Sequence, residues 1–83
     1  MTTWQVALVR EQGIEFGVVV VQDQVIDNPS ERENLLQAWT AELRRPVALL
    51  GGHRHRSYGR RDLVRWLENV HPSQLPWRQV TLN

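Results

Sequence analysis

Large apolar side chains alternate from the start of the chain. Trp4, Val6 and Leu8 stand two residues apart in Trp4-Gln5-Val6-Ala7-Leu8-Val9-Arg10, the period of a strand with one strongly buried face. Ile14, Phe16, Val18 and Val20 repeat the pattern, and Val19 and Val21 make the second half of that strand apolar on both sides. Glu11-Gln12-Gly13 between the two is a short turn in which glycine supplies a positive φ. The pair is expected to form an antiparallel hairpin.

Gln22 to Asp27 reads as a polar link around Val25-Ile26. The period then changes. Asn28 or Ser30 can cap a helix, Pro29 tolerates a first turn, and Ser30 with Glu33 has capping-box spacing. Glu31 and Glu33 sit well at the positive end of the helix dipole. Leu35, Leu36, Trp39 and Leu43 fall on one helical stripe, and Arg44-Arg45-Pro46 ends it. Val47-Ala48-Leu49-Leu50 is a continuous apolar run, as in a central strand covered on both faces. A second helix starts near Gly59 or Arg60 and runs to about Asn69, with Leu63, Trp66, Leu67 and Val70 on its buried arc and Arg61, Arg65 and Glu68 opposite. His71-Pro72 stops it, Ser73-Gln74-Leu75-Pro76 turns, and Trp77 to Leu82 reads as a last strand.

The expected fold is therefore α/β, with α+β as the alternative class, in the order β-β-α-β-α-β: a mixed sheet of about four strands with two helices. Residues 1–83 are expected to form one domain. Trp39 and Trp66 fall on buried arcs and are expected in the core; Trp4 and Trp77 lie near strand starts and are expected to be partly exposed. The pattern leaves open which face of the sheet each helix covers.

Composition narrows the function classes. The chain has no cysteine, so neither disulfides nor thiolate metal sites hold it together, which fits a cytoplasmic location. Its start lacks a basic stretch followed by a long apolar run, so no signal peptide is expected. The longest apolar runs, such as Val18 to Val21, are far short of the roughly 20 residues of a membrane span, so no membrane partner is expected. Every basic residue other than histidine is arginine. Without lysine, chemistry that needs a Schiff-base or P-loop lysine is excluded.

Net charge conceals a division. Residues 1–43 hold two arginines against seven carboxylates, net −5, and residues 44–83 hold eight arginines against two carboxylates, net +6. Four of those arginines lie in Gly51-Gly52-His53-Arg54-His55-Arg56-Ser57-Tyr58-Gly59-Arg60-Arg61, which contains no acid. This stretch joins a central strand to a helix start, where open α/β sheets bind ligands. Gly51, Gly52 and Gly59 admit close backbone approach, and helix-start N–H groups attract anions. Arg54, Arg56, Arg60 and Arg61 offer charge-assisted contacts to phosphate, Tyr58 a stacking face, and His53 and His55 added positive field when protonated. The opposing reading is a solvated loop whose charge favours solubility.

The expected function is a non-enzymatic binding domain that holds a phosphate-bearing partner at residues 51–61, RNA or single-stranded nucleic acid before a nucleotide. The alternative is a small protein–protein adaptor or assembly factor. It would bind an acidic protein surface through the same loop, or form a homodimer by matching Glu31, Glu33 and Glu42 to Arg44, Arg45 or Arg65, or through a Val-rich strand left at a sheet edge. A third reading is a small phosphodiesterase using His53 or His55 with Tyr58 and Arg56. No cofactor and no catalytic residues are assigned. A metal site at His53 and His55, completed by Asp62 or His71, is disfavoured by the positive charge of Arg54 and Arg56.

Overall fold

In the computed structural model, which describes residues 2–11 and 13–82, the amino-terminal hairpin pairs β1 (Thr2–Glu11) with β2 (Ile14–Val21). Met1, at the chain start, Gln12, in the expected hairpin turn, and Asn83, at the chain end, lie outside the described residues. Gly13 has φ 78°, the left-handed conformation that glycine adopts without steric cost. The elements that follow are α1 (Asp23–Asp27), α2 (Pro29–Leu43), β3 (Val47–Gly51), β4 (Ser57–Gly59), α3 (Arg61–Glu68), a 3₁₀ turn at Pro72–Gln74 and β5 (Trp77–Leu82). Among the described residues no helix is long and apolar enough to cross a membrane.

Five strands form one mixed sheet in the order β4-β3-β2-β1-β5. β2 and β3 are parallel, with Val19 opposite Leu49, and the other three pairs are antiparallel. The apolar run of β3 is buried throughout, as a strand covered on both faces requires. Helices α1 and α2 cover one face, where Val6, Val19, Val21, Trp39 and Leu49 pack together. Helix α3 and the 3₁₀ turn cover the other, over Ala7, Phe16, Val18, Leu50, Leu63 and Leu67. The α/β class is thus as the pattern predicts, in three layers.

Two elements escape the sequence pattern. The expected link 22–27 is helix α1, whose Val25 and Ile26 are buried. Asn28 ends α1 and begins α2: its own N–H donates to the Val25 carbonyl, while its side chain accepts from the N–H groups of Ser30 and Glu31. Ser30 is therefore inside the helix, not its cap. The fourth strand, β4, is only three residues long, too short to show a period. Gly59, expected near a helix start, is a strand residue with φ 150° whose missing Cβ would lie 3.0 Å from the Val47 carbonyl oxygen.

Trp39 is fully buried at the centre of the α2 stripe, whereas Leu35, Leu36 and Leu43 are half-buried around it. It meets Trp4 edge to face at 5.7 Å, a geometry that adds about 0.5–1.5 kcal/mol beyond area burial. Trp66 is half-buried rather than enclosed, meeting Phe16 edge to face at 5.4 Å. Trp4 and Trp77 are both half-buried. The Val-rich strand is β2, an interior strand. It offers no free edge, so the homodimer route through such an edge is ruled out; the sheet's edges are β4 and β5.

Candidate functional site: the β3–β4 hairpin

The arginine stretch folds as a hairpin rather than as one long loop. The Gly51 N–H donates to the Arg56 carbonyl at 2.7 Å, closing a tip at residues 52–56, and the His55 N–H donates to the Gly51 carbonyl at 3.2 Å. His55 adopts φ 56° to complete the turn. β4 then runs antiparallel to β3, pairing Ser57 with Leu50 and Gly59 with Ala48. Arg60 and Arg61 consequently lie at the opposite end of β4 from Arg54 and Arg56. At about 3.3 Å per residue, the strand separates the two arginine pairs by roughly 13 Å. Residues contiguous in sequence form two sites.

The tip is held by acids from α1. Asp23 Oδ1 accepts hydrogen bonds from the N–H groups of both His53 and Arg54, each at 3.3 Å. A carboxylate of the chain thus occupies these two tip amides; the N–H groups expected to receive an anion are those at the start of α3, at the other end of β4. Gly51 is buried against this contact, and a Cβ there would collide with Asp23 Oδ1. Gly52 continues the sheet by donating to the Val21 carbonyl at 3.0 Å. Arg56 Nη2 pairs with Asp27 Oδ1 at 2.7 Å. That hydrogen bond is the main cause holding the Asp27 carboxyl below its ordinary value and raising the Arg56 guanidinium still further.

The other end of β4 is paired locally. Arg60 grips Asp62 with two parallel bonds, Nε to Oδ1 at 2.8 Å and Nη2 to Oδ2 at 2.7 Å. Asp62 also accepts from the Leu63 N–H at 3.0 Å in the first turn of α3. The Arg60 hydrogen bond is the leading reason its carboxyl lies below the ordinary value. The start of α3 is thus already neutralised by its own acid, as a helix dipole favours. Among the described residues, Arg54 and Arg61 form no ion pair, and neither does Arg65, exposed one turn after Arg61.

Tyr58 is committed elsewhere. Its hydroxyl donates to Glu33 Oε2 at 2.8 Å, and the Arg32 guanidinium covers its ring 4.4 Å from the centroid. Tyr58 therefore ties β4 to α2 through a hydrogen bond and a cation–π contact; its covered ring face is not free to stack on a base. The two tip histidines do not converge. His53 lines a crevice of about 890 Å³ beside Trp4, Gln5, Asp23 and Glu31. His55 lines a separate hollow of about 230 Å³ with Leu50, Pro72 and Trp77. His71 serves the 3₁₀ turn, its Nδ1 accepting from the Ser73 N–H at 3.2 Å. Among the described residues no three His, Asp or Glu side chains gather as a metal ion would need.

Asp23 and Asp27 are the site residues that sequence reasoning missed. Their partners lie about 30 positions away, beyond any local motif. No family model, no curated protein and no solved structure matches the chain.

Proposed function

We propose that this chain is a non-enzymatic binding domain that holds a phosphate-bearing partner, RNA or single-stranded nucleic acid, along the β4 edge and the outer face of α3. The observation that carries this reading is the segregation of charge between elements. Residues 53–68, from the hairpin tip through α3, hold five arginines against two acids, and the segment 22–43, which forms α1 and α2, holds five acids against Arg32 alone. Within the basic segment, the arginines without internal ion pairs, Arg54, Arg61 and Arg65, are the contacts assigned to phosphate. Arg56 and Arg60, occupied by Asp27 and Asp62, contribute less. The backbone amides of the tip contribute nothing while Asp23 holds them.

Fluorescence-anisotropy titration with short labelled RNA at two salt concentrations tests the reading. Substituting Arg54, Arg61 and Arg65 together by alanine should weaken binding and reduce the salt slope by about 2, at roughly 0.7 per single-strand phosphate contact. Substituting Arg56 and Arg60 should change the slope less. An absence of binding at low salt overturns the reading.

A second reading, a protein adaptor for an acidic surface, is favoured by one specific observation: the tip already accepts carboxylates, those of Asp23 and Asp27. A partner's acidic side chain offers the same chemistry without the length of a polyanion, which would be repelled by Glu31 and Glu33 on the neighbouring helix. An acidic peptide that binds when RNA does not would select this reading.

A further inference from the structure

We infer that the outer edge of β5 is a self-association surface, pairing antiparallel with β5 of a second copy about a two-fold axis through Val80. This goes beyond the anion-binding reading and uses the opposite edge of the sheet.

β5 is a lightly guarded edge: it lies at the end of the sheet, and its six residues, Trp77–Leu82, contain no proline and a single charge, Arg78. Its register with β1 runs without a bulge from Thr2 opposite Leu82 to Ala7 opposite Trp77. Edge strands ordinarily carry such interruptions because their free N–H and C=O groups are a template for another strand. The other edge is guarded: β4 is three residues long and is bracketed by Arg56 and Arg60. Among the described residues nothing pairs with the outer side of β5.

The alternation of β5 then selects the register. Val80 packs with Trp4 into the cluster under α2, while Trp77 packs into the cluster under α3. Even-numbered residues of β5 thus share one face and odd-numbered residues the other. Directly opposed residues in an antiparallel pair point to the same face, so a two-fold axis normal to the sheet must pass midway between the two copies of one residue, which then names the axis. An axis through Arg78 would oppose two guanidinium groups. An axis through Gln79 would leave them two residues apart along the strand, about 7 Å, on one face. An axis through Val80 places Val80 against Val80, Gln79 against Thr81 and Arg78 against Leu82. It separates the two Arg78 residues by four positions, about 13 Å. This register joins the half-buried Val80 residues beside Trp4, so the apolar α2 face of the sheet continues from one copy to the next. It is self-complementary, as a two-fold interface requires, and it is the reason a second copy is the occupant assigned to this edge.

Sedimentation equilibrium from low micromolar to millimolar protein tests the assignment. The unmodified chain should pass from monomer to dimer, and the amide resonances that move with concentration should map to residues 78–81. Gln79 and Thr81 are exposed, so both tolerate charge in the monomer. Gln79→Lys with Thr81→Lys sets ammonium groups opposite one another across the axis and should abolish dimerisation while the circular dichroism spectrum is retained. Gln79→Lys with Thr81→Glu sets opposite charges face to face at the same positions and should restore it. A chain that stays monomeric at millimolar concentration, a double-lysine variant that dimerises undiminished, or a lysine–glutamate variant no better than the double lysine would each overturn the proposal. RNA titration of the double-lysine variant separates the two readings, because the anion-binding residues are untouched.

Discussion

The two ends of the arginine stretch are held in different ways. At the hairpin tip, the backbone amides of His53 and Arg54 and the guanidinium of Arg56 are bound by Asp23 and Asp27, about 30 residues earlier in the chain. At the start of α3, Arg60 is bound by Asp62 two residues later. The first arrangement exists only when α1 is packed against β3. The second forms within one turn of chain. A run of like charge in a sequence is thus a poor guide to the charge a partner meets, because each end finds its own counter-ion by a different route.

The largest effect should come from Gly51→Ala, which strikes the long-range end alone. Its Cβ would displace the Asp23 carboxylate, the free end of a flexible side chain, and crowd the Arg56 carbonyl at 3.4 Å, so the cost is the lost amide contacts plus local crowding, about 1–2 kcal/mol. Urea denaturation should show a lower midpoint at unchanged slope. Gly52→Ala is the matched control: its Cβ would meet Val20 Cγ1 at an ordinary 3.5 Å, and its midpoint should barely move. If both variants behave alike, the tip does not depend on Asp23.

Asp23→Ala should be milder. It removes one acceptor shared by two partly solvated amides, worth about 1 kcal/mol. Amide exchange should quicken at His53 and Arg54 and stay unchanged at Leu63. Equal quickening at Leu63 would mean that the two ends are coupled rather than held independently.

Acid should loosen both ends together. The carboxyls of Asp27 and Asp62 lie below the ordinary 3.8 because arginine hydrogen bonds favour their charged forms. A depressed folded-state pKa means that the unfolded chain takes up the proton first. The stabilisation is therefore whole above the ordinary value and is lost as pH falls through the depressed one. Carboxyl titration by NMR should place both midpoints below those of a denatured reference; a midpoint at or above that reference for Asp27 would dissolve the Arg56 pair.

Smallest of all should be the stability effect of Arg56→Ala or Arg60→Ala. Both pairs are exposed, and such pairs lose their Coulomb gain to side-chain entropy and salt screening. Melting temperatures at physiological salt should stay close to that of the unmodified chain.

Much of the fold is legible in the sequence because its signals are local. The alternation of Trp4, Val6 and Leu8, the continuous run of β3 and the stripe of Leu35, Leu36, Trp39 and Leu43 each report burial directly. Asn28 and Pro46 mark the limits of α2 by their own stereochemistry. β4 and α1 are not legible: three residues of strand and five of helix carry too few side chains to display a period. The candidate site reads as one loop in the sequence because its charges are adjacent, and adjacency says nothing about a strand inserted between them.

The α/β class, the buried stripes and the division of charge are written in the chain's local order. Each follows from the chemistry of neighbouring residues and the two backbone periods. Packing settles the rest: α2 and α3 cover opposite faces, Val-rich β2 lies inside the sheet with β5 at its edge, and Asp23 and Asp27 hold the hairpin tip. Those outcomes depend on which surfaces meet when distant segments pack.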